Sequence, residues 1–564
     1  IGIMLSRLIL QSFVFPPRKA APPPIAPSAS PPGSPNLSSP TSHDLHSPLS
    51  PLSPSSPVFP DGLMTPLWLA KHQSRIPAVY LSFQTLDSDP SNDAALKNHI
   101  NDTRNTIAKS GFKTRYALVL VSDDAAISPL DFEERLAAIR RATSLDPKSS
   151  CFHFDVSDSQ TDLPTFVSSV LRALQPVCID YYRDLTKHSR RKRGRASPPP
   201  LTAAASRGTS QVLTMNGWNV RYDFKLAIFA EFRQEMDVAQ RHYESALEEL
   251  FGPEGSLENT PSWSVRWQEA RLLCDIIAFR VLRCQIWRGM TSGAAESWYN
   301  YKERMRDLID RRGKGTDNSY GWEAWEARWA KMMAQLIEMA DLPVFKPIDL
   351  SDPEEQSTGS AIYAPAEKLY STMERMMPFH LLHHPGYWWR LACKHVMARK
   401  RKAEAIPQED RTLPSETAAA QLASRTRTYD TYMVPQPHEE APLSGHSTYD
   451  YLLDLQSQTE RVESIMSDRG QARAVQQVKI DLAREFSRAG RYDEALQTLR
   501  PVWDSMAWRR EKWFDLAVEV LELLYESAEK TGNMKLRAES AWELTYQRRC
   551  RSNNTLSVTN FQQP

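Results

Sequence analysis

The chain lacks most of the signatures by which chemistry shows itself in a sequence. Its six cysteines, Cys151, Cys178, Cys274, Cys284, Cys393 and Cys550, form no C-x-x-C pair. Four of them lie in apolar or amphipathic runs, where a free thiol acts as a small buried hydrophobe, so a reducing compartment suits the chain better than a disulfide framework. No run of eighteen apolar residues occurs, so no membrane-spanning helix is expected. The opening stretch 1–15 is apolar but short, without the charged start and small-residue cleavage site of a signal peptide. Charge of one sign is also missing: 69 basic residues face 68 acidic ones. No global field then favours nucleic acid or anionic lipid, and any electrostatic role must be local.

What is present divides by composition. A length of 564 residues exceeds what one core organises, so two or more globular units are expected. Residues 1–63 form a Pro/Ser-rich tail that reads as disordered, because it cannot bury enough apolar area to offset its ordering entropy. Its P-x-x-P spacings follow from composition alone. The sequence begins with Ile1, and ordered patterning starts just after Met64, which is the expected natural start.

Residues 64–186 alternate strand and helix patterns. Val79–Phe83, Tyr116–Val121 and Cys151–Val156 read as strands, and Ala94–Lys109, Asp131–Thr143 and Leu163–Leu174 as helices, with Gly111 as a C-cap. This predicts a small Rossmann-like parallel sheet domain. Such a sheet binds nucleotides through a glycine-rich turn after a strand. Here Phe83 precedes Q-T-L-D-S-D-P and Val121 precedes S-D-D-A-A-I-S-P, both without glycine and both acidic. The sheet therefore reads as a docking platform, and Asp123 and Asp124 as a solvated turn more readily than a cation site.

Residues 187–210 begin with K-H-S-R-R-K-R-G-R, Lys187–Arg195, and read as a basic, proline-rich linker. The sharper alternatives are a nuclear-import signal or a patch for acidic lipid headgroups. Residues 211–550 have helical spacing almost throughout. In Tyr222–Phe251 the apolar positions recur at steps of three and four around a tight turn near Gln234–Met236, in the manner of a tetratricopeptide-type (TPR-like) helix pair. A clearer copy at Ile480–Pro501 places Gly490, Tyr492, Ala495 and Pro501, and a looser one surrounds Ala528, Gly532 and Ala541. The expected architecture is thus α/β followed by an irregular, TPR-like α-solenoid, with surface loops at about 343–360 and 402–446 and a disordered tail at 551–564.

Within that solenoid, W-S-V-R-W-Q-E-A-R-L-L-C-D-I-I-A-F-R-V-L-R-C-Q-I-W, Trp263–Trp287, reads as a long amphipathic helix with a wide apolar face. Arg266, Arg271, Arg280 and Arg283 are its expected exposed basic row and the candidate partner-binding residues. His380, His383 and His384 invite a metal reading, but Pro385 breaks the helix and no H-E-x-x-H pattern is present. Packing of Tyr387, Trp388 and Trp389 explains that segment better. Trp322, Trp325 and Trp329 share one helix face, which marks core more often than a base-stacking platform. No catalytic, cofactor-binding or metal-ligating residue is expected.

Three blocks carry a family resemblance: Y-D-F-K-L-A-I-F-A-E-F-R-Q-E-M-D-V-A-Q-R-H-Y-E-S-A, the arginine-punctuated helix just described, and H-H-P-G-Y-W-W-R-L-A. They resemble the foie gras domain of subunit 11 of the trafficking protein particle (TRAPP) complex, in a filamentous-fungus-like version, over roughly residues 64 to 550. A tail of β-sandwich domains usually follows in that family, so the chain is expected to be a truncated product. The resemblance implies a non-catalytic scaffold subunit of a vesicle-tethering complex. It implies other TRAPP subunits as partners, indirect service to Rab-type GTPases, and no nucleic acid. It also implies cytoplasmic localisation with peripheral contact to Golgi and ER–Golgi membranes. The alternatives from residues alone are a nucleotide-binding enzyme using the α/β sheet and a nuclear protein using 187–195.

Overall fold

The computed structural model describes residues 62–86, 89–122, 129–155, 163–195, 213–262, 264–312, 319–342, 345, 382–406, 449–505 and 514–560. The chain forms two compact units, Ile1–Arg288 and Gly289–Pro564.

In the first unit a short helix α1 (Pro66–Ala70) leads into a π-helical turn (Lys71–Arg75) and then a three-stranded parallel sheet of order β1 (Val79–Thr85), β2 (Arg115–Ser122), β3 (Cys151–Asp155). Helices α2 (Asp93–Lys109) and α3 (Pro129–Thr143) make the two crossovers. Successive side chains of β2 point to opposite faces. Leu118 and Leu120 pack with Ile100 of α2 and with Phe132, Leu136 and Ile139 of α3. Ala117 packs with Val170 and Leu174 of α4 (Leu163–Arg193), beside Val79, Leu81 and Phe152. The continuous apolar run of β2 is thus explained: helices cover both faces. Sheet and solenoid architecture are as the sequence predicts.

Helix α4 exceeds its predicted length. It continues past Leu174, through Pro176, to Arg193, so the first part of the stretch read as linker is helical. The physical reason is anchorage on the next helix, α5 (Met215–Phe232). The Trp218 indole N–H donates to the Lys192 carbonyl at 3.1 Å, Arg193 pairs with Asp223 at 2.7 Å, and Arg233 donates to the Thr186 hydroxyl at 2.6 Å. Helices α6 (Met236–Phe251), α7 (Ser256–Asn259) and α8 (Val265–Trp287) complete this unit. The N-caps are chemical: the hydroxyls of Thr214 and Ser264 accept from the third backbone N–H of α5 and α8.

The second unit comprises α9 (Thr291–Arg312), α10 (Tyr320–Ala340), α11 (Pro385–Ala405), α12 (Tyr451–Ser467), α13 (Ala472–Arg488), α14 (Tyr492–Asp504), α15 (Phe514–Lys530) and α16 (Met534–Asn560). Trp298, Trp322, Trp325 and Trp329 are buried against one another, with neighbouring ring centroids 4.6–5.9 Å apart, so the tryptophan stripe is core. Helix α11 includes Lys402–Ala405, which the sequence places in a loop, and α16 runs on to Asn560, past the point where sequence patterning fades.

One turn recurs in both units. At α5–α6 the Glu235 N–H reaches the Ala230 carbonyl, and the same six-residue closure joins Gln471 to Met466, Arg491 to Phe486 and Asn533 to Ala528. The residue before each donor is left-handed: Gln234 (φ 63°), Gly470 (φ 66°), Gly490 (φ 75°) and Gly532 (φ 73°). This is the Schellman closure, which satisfies the last helical carbonyls and reverses the chain within a few residues. Three of these four sites use glycine, which takes the left-handed conformation without steric cost, and Leu145 closes on Arg140 in the same way after Ser144 (φ 52°).

Candidate functional site

Helix α8 carries the residues the sequence singles out, and the structure corrects their placement. Arg266, Arg271 and Arg280 are buried, and only Arg283 is partly exposed. Arg280 donates to Glu231 of α5 at 2.8 Å, Arg283 donates to the same carboxylate oxygen, and Arg271 pairs with Asp275 one turn on at 2.8 Å. The expected exposed basic row is therefore largely an internal set of ion pairs. Buried charges need partners, and Glu231 supplies one from 49 residues upstream of Arg280, beyond any local pattern. The solvent-facing stripe of α8 holds exposed Val265, Leu272 and Trp287 and half-buried Ile276 and Phe279, interspersed with Gln268, Glu269, Asp275 and Arg283. Trp263 lies outside the described residues.

Other buried charges follow the same rule. Asp223 is enclosed and receives Arg193, the His242 ring at 2.9 Å and the Ser245 hydroxyl at 3.4 Å. In the second unit Glu485 receives Lys400, Arg401 and Arg488, and Glu323 receives His395 and Lys402. The buried Arg399 guanidinium lies 4.6–5.5 Å from the ring centres of Tyr320, Tyr449 and Tyr451, and it donates to the Tyr320 and Tyr449 hydroxyls. These groups join helices distant in sequence, and partnered charges and stacked cations of this kind fix packing geometry.

Several groups among the described residues that could act chemically are held in structural roles. Ser122 and His153 meet at 2.6 Å at the carboxyl ends of β2 and β3, where open α/β sheets place ligands. Ser122 is buried, so this contact ties β2 to β3 rather than exposing a nucleophile. In the Asp223 cluster the carboxylate stands between histidine and serine, whereas an activated serine needs the histidine between. Burial pushes the thiols of Cys151 and Cys178 up, that of Cys284 to about 11 and that of Cys393 to about 12, away from the thiolate range of reactive cysteines.

His384 is the N-cap of α11, its Nδ1 accepting from the Gly386 N–H at 3.2 Å, and the His383 ring packs on Tyr387. Trp388 and Trp389 are buried, while Tyr387 is exposed. Asp123, Asp124 and His380 lie outside the described residues. Among the described residues, no three His, Cys, Asp or Glu side chains gather as a metal ion would require.

A cleft of about 550 Å³ opens at the amino ends of the strands, bordered by Arg104, Lys113, Arg115 and Asp184. Its cations meet two helix carboxyl ends: Lys109 to Gly111 close α2 there, and Arg104 donates to the Thr143 carbonyl at the end of α3. Cations at that pole offset the helix dipole, so the charge of this cleft is explained by the fold. No described helix is long and apolar enough to cross a membrane.

Comparison with known proteins finds two family models that match the chain. Residues 266–547, half the chain, match the family described as Foie gras liver health family 1. Residues 4–163 match the Trafficking protein particle complex subunit 11 N-terminal domain. No curated protein matches the chain. The first match runs from Arg266 of α8 through the helix pairs to Gln547 of α16, and the second takes in the three-stranded sheet. A parallel sheet followed by stacked helix pairs, matched in that order by these two domains, places the chain in the TRAPP complex subunit 11 family, with its foie gras domain.

Proposed function

We propose that the chain works as a non-catalytic scaffold in a TRAPP vesicle-tethering complex, in traffic between endoplasmic reticulum and Golgi. It supports Rab-type GTPase activation carried out by other subunits, from the cytoplasmic side of Golgi and ER–Golgi membranes. The observation that carries this reading is the fate of the titratable groups described above: Asp223, Glu231 and Glu485 each pair with cations of other helices, and Arg399 joins α11 to the tyrosine of α10. A stack of helix pairs presents rigid surface, which suits assembly.

The test is reconstitution. Full-length protein added to the other TRAPP subunits should co-elute with them and raise nucleotide exchange on vesicle-bound Rab, while showing no exchange or hydrolysis alone. Elution as a separate species that leaves exchange unaltered would refute the reading.

A further inference from the structure

The cleft at the amino ends of the strands joins an apolar recess to a basic rim. Val79 of β1, Ile107 of α2, Leu145 after α3, and Leu174 and Val177 of α4 form its walls, around a volume of about 550 Å³. That size suits an inserted side chain or a small ligand. Arg104, Lys113 and Arg115 border the cleft against one carboxylate, Asp184. Lys113 and Arg115, which opens β2, are exposed.

The rim continues beyond the cleft. Asp184 lies 3.5 Å from the Lys113 ammonium and 3.9 Å from that of Lys187, which is 71% exposed. Val177, Asp184 and Arg191 follow one another at roughly two turns of α4, so one stripe of that helix runs from the cleft wall to the exposed Arg191. Asp146 touches the wall through the Ser149 hydroxyl, and Lys148 of the same turn offsets its charge.

Helix dipoles explain part of this charge and leave the rest. The carboxyl ends of α2, α3 and α4 each act as about half a negative charge. With Asp184 they offset about half of the charge on Arg104, Lys113, Arg115, Lys187 and Arg191. What remains is a positive ramp that ends in an apolar recess. The flat surface of an acidic bilayer would meet the ramp and leave the recess unfilled. A linear peptide that interleaves carboxylates with apolar side chains matches both parts.

We propose that the cleft and this stripe of α4 together bind an acidic linear segment of a partner protein. One apolar side chain of the segment sits between Ile107, Leu145 and Leu174, which are buried, and its carboxylates meet Lys113, Arg115, Lys187 and Arg191. The planar guanidinium of Arg115 suits a carboxylate held through two hydrogen bonds. The site stands independently of the scaffold reading.

The experiment titrates full-length protein into a fluorescein-labelled peptide, E-E-L-E-E-L-E-E, and follows anisotropy. Two control peptides carry glycine for leucine, E-E-G-E-E-G-E-E, or lysine for glutamate, K-K-L-K-K-L-K-K. The first should bind saturably, the glycine peptide about tenfold more weakly for want of a seated side chain, and the lysine peptide not at all. Arg115→Glu should weaken the first peptide by about tenfold or more. Ala108→Trp, at an exposed position lining the cleft, adds bulk there without altering charge and should weaken it by a similar factor. Both variants should unfold at the parent's temperature, and if Ala108→Trp does not fold, the glycine peptide carries the same comparison. Flotation on phosphatidylcholine vesicles containing phosphatidylserine is the second arm. Peptide binding that shows these differences upholds the proposal whether or not vesicles also bind. Vesicle binding lost in Arg115→Glu, without peptide binding, would give the face to a membrane and overturn it. So would the absence of saturable peptide binding, or equal affinity for the leucine and glycine peptides, which would mark attraction by charge alone.

Discussion

Glu485 offers the sharpest test of how the second unit is held. Its carboxylate is 1 % exposed and receives Lys400 at 2.9 Å, Arg401 at 3.0 Å and Arg488 at 2.7 Å. The three arms differ in worth. Arg401 and Arg488 are 55 % and 51 % exposed, so water screens them and each contributes about 0–1 kcal/mol. Lys400 is 10 % exposed and joins α11 to α13 in a poorly solvated place, where deleting one partner costs about 3–5 kcal/mol because the other charge is left buried. Burial raises the Glu485 pKa, and the hydrogen bonds from Lys400 and Arg401 overcome that, leaving it below the ordinary glutamate value. The pair is therefore net favourable once formed. Glu485→Ala should lower hydrogen-exchange protection of α11 and α13 backbone amides by roughly a hundredfold to several thousandfold. Replacing both partners, Glu485→Met with Lys400→Met, should restore most of it, since a well-packed apolar pair can match an ion pair. A single substitution that costs less than about 1 kcal/mol, or a double variant as unstable as the sum of the singles, would refute the reasoning.

Two further expectations follow from the turns and the histidines. Gln234 holds a left-handed conformation that disfavours a side chain, so Gln234→Gly should stabilise by up to about 1 kcal/mol in urea unfolding. Gly490→Ala should destabilise by about 1–2 kcal/mol, and by conformation alone, because a Cβ there meets nothing within 4 Å. Burial, then Arg469, lowers His384 from 6.5 to about 4, and His72 is lowered to about 3. With folded values below the unfolded one, the unfolded chain binds protons first. This contribution is thus complete above pH 6.5 and falls away as pH drops toward 4 and 3. Urea midpoints across that window should fall with pH, and His384→Asn, which keeps a capping acceptor but does not titrate, should flatten part of the slope. An unaltered slope in that variant would count against the cap.

Local rules made much of the architecture legible. The β2 run Y-A-L-V-L-V announces a strand covered on both sides, and the helix-pair pattern places Gly490 and Gly532 where the chain reverses. The tryptophan stripe of α10 read as core because its period is that of one helix face. The failures share a cause as well. Arg280 on an amphipathic pattern looks wet when its partner, Glu231, lies 49 residues away. Lys187–Arg193 looked like linker because charge runs usually are solvated, and nothing local reveals that Trp218 and Asp223 hold the segment as helix. Spacing reports periodicity, whereas charge compensation is decided by contacts that cross elements.

The tyrosine box around Arg399 bears on how this chain can tolerate change. Tyr320, Arg399 and Tyr451 belong to three helices, and the hydroxyls of Tyr320 and Tyr451 touch across 131 residues of sequence. One guanidinium thus sets the register of α10, α11 and α12 whatever the length of polypeptide that links them. Because the entropy of closing a loop grows only with the logarithm of its length, each doubling of such a link costs about 0.6 kcal/mol. Insertions between these helices are therefore nearly free, and relatives can differ widely in the stretches between α10 and α12 while keeping the same three-helix joint.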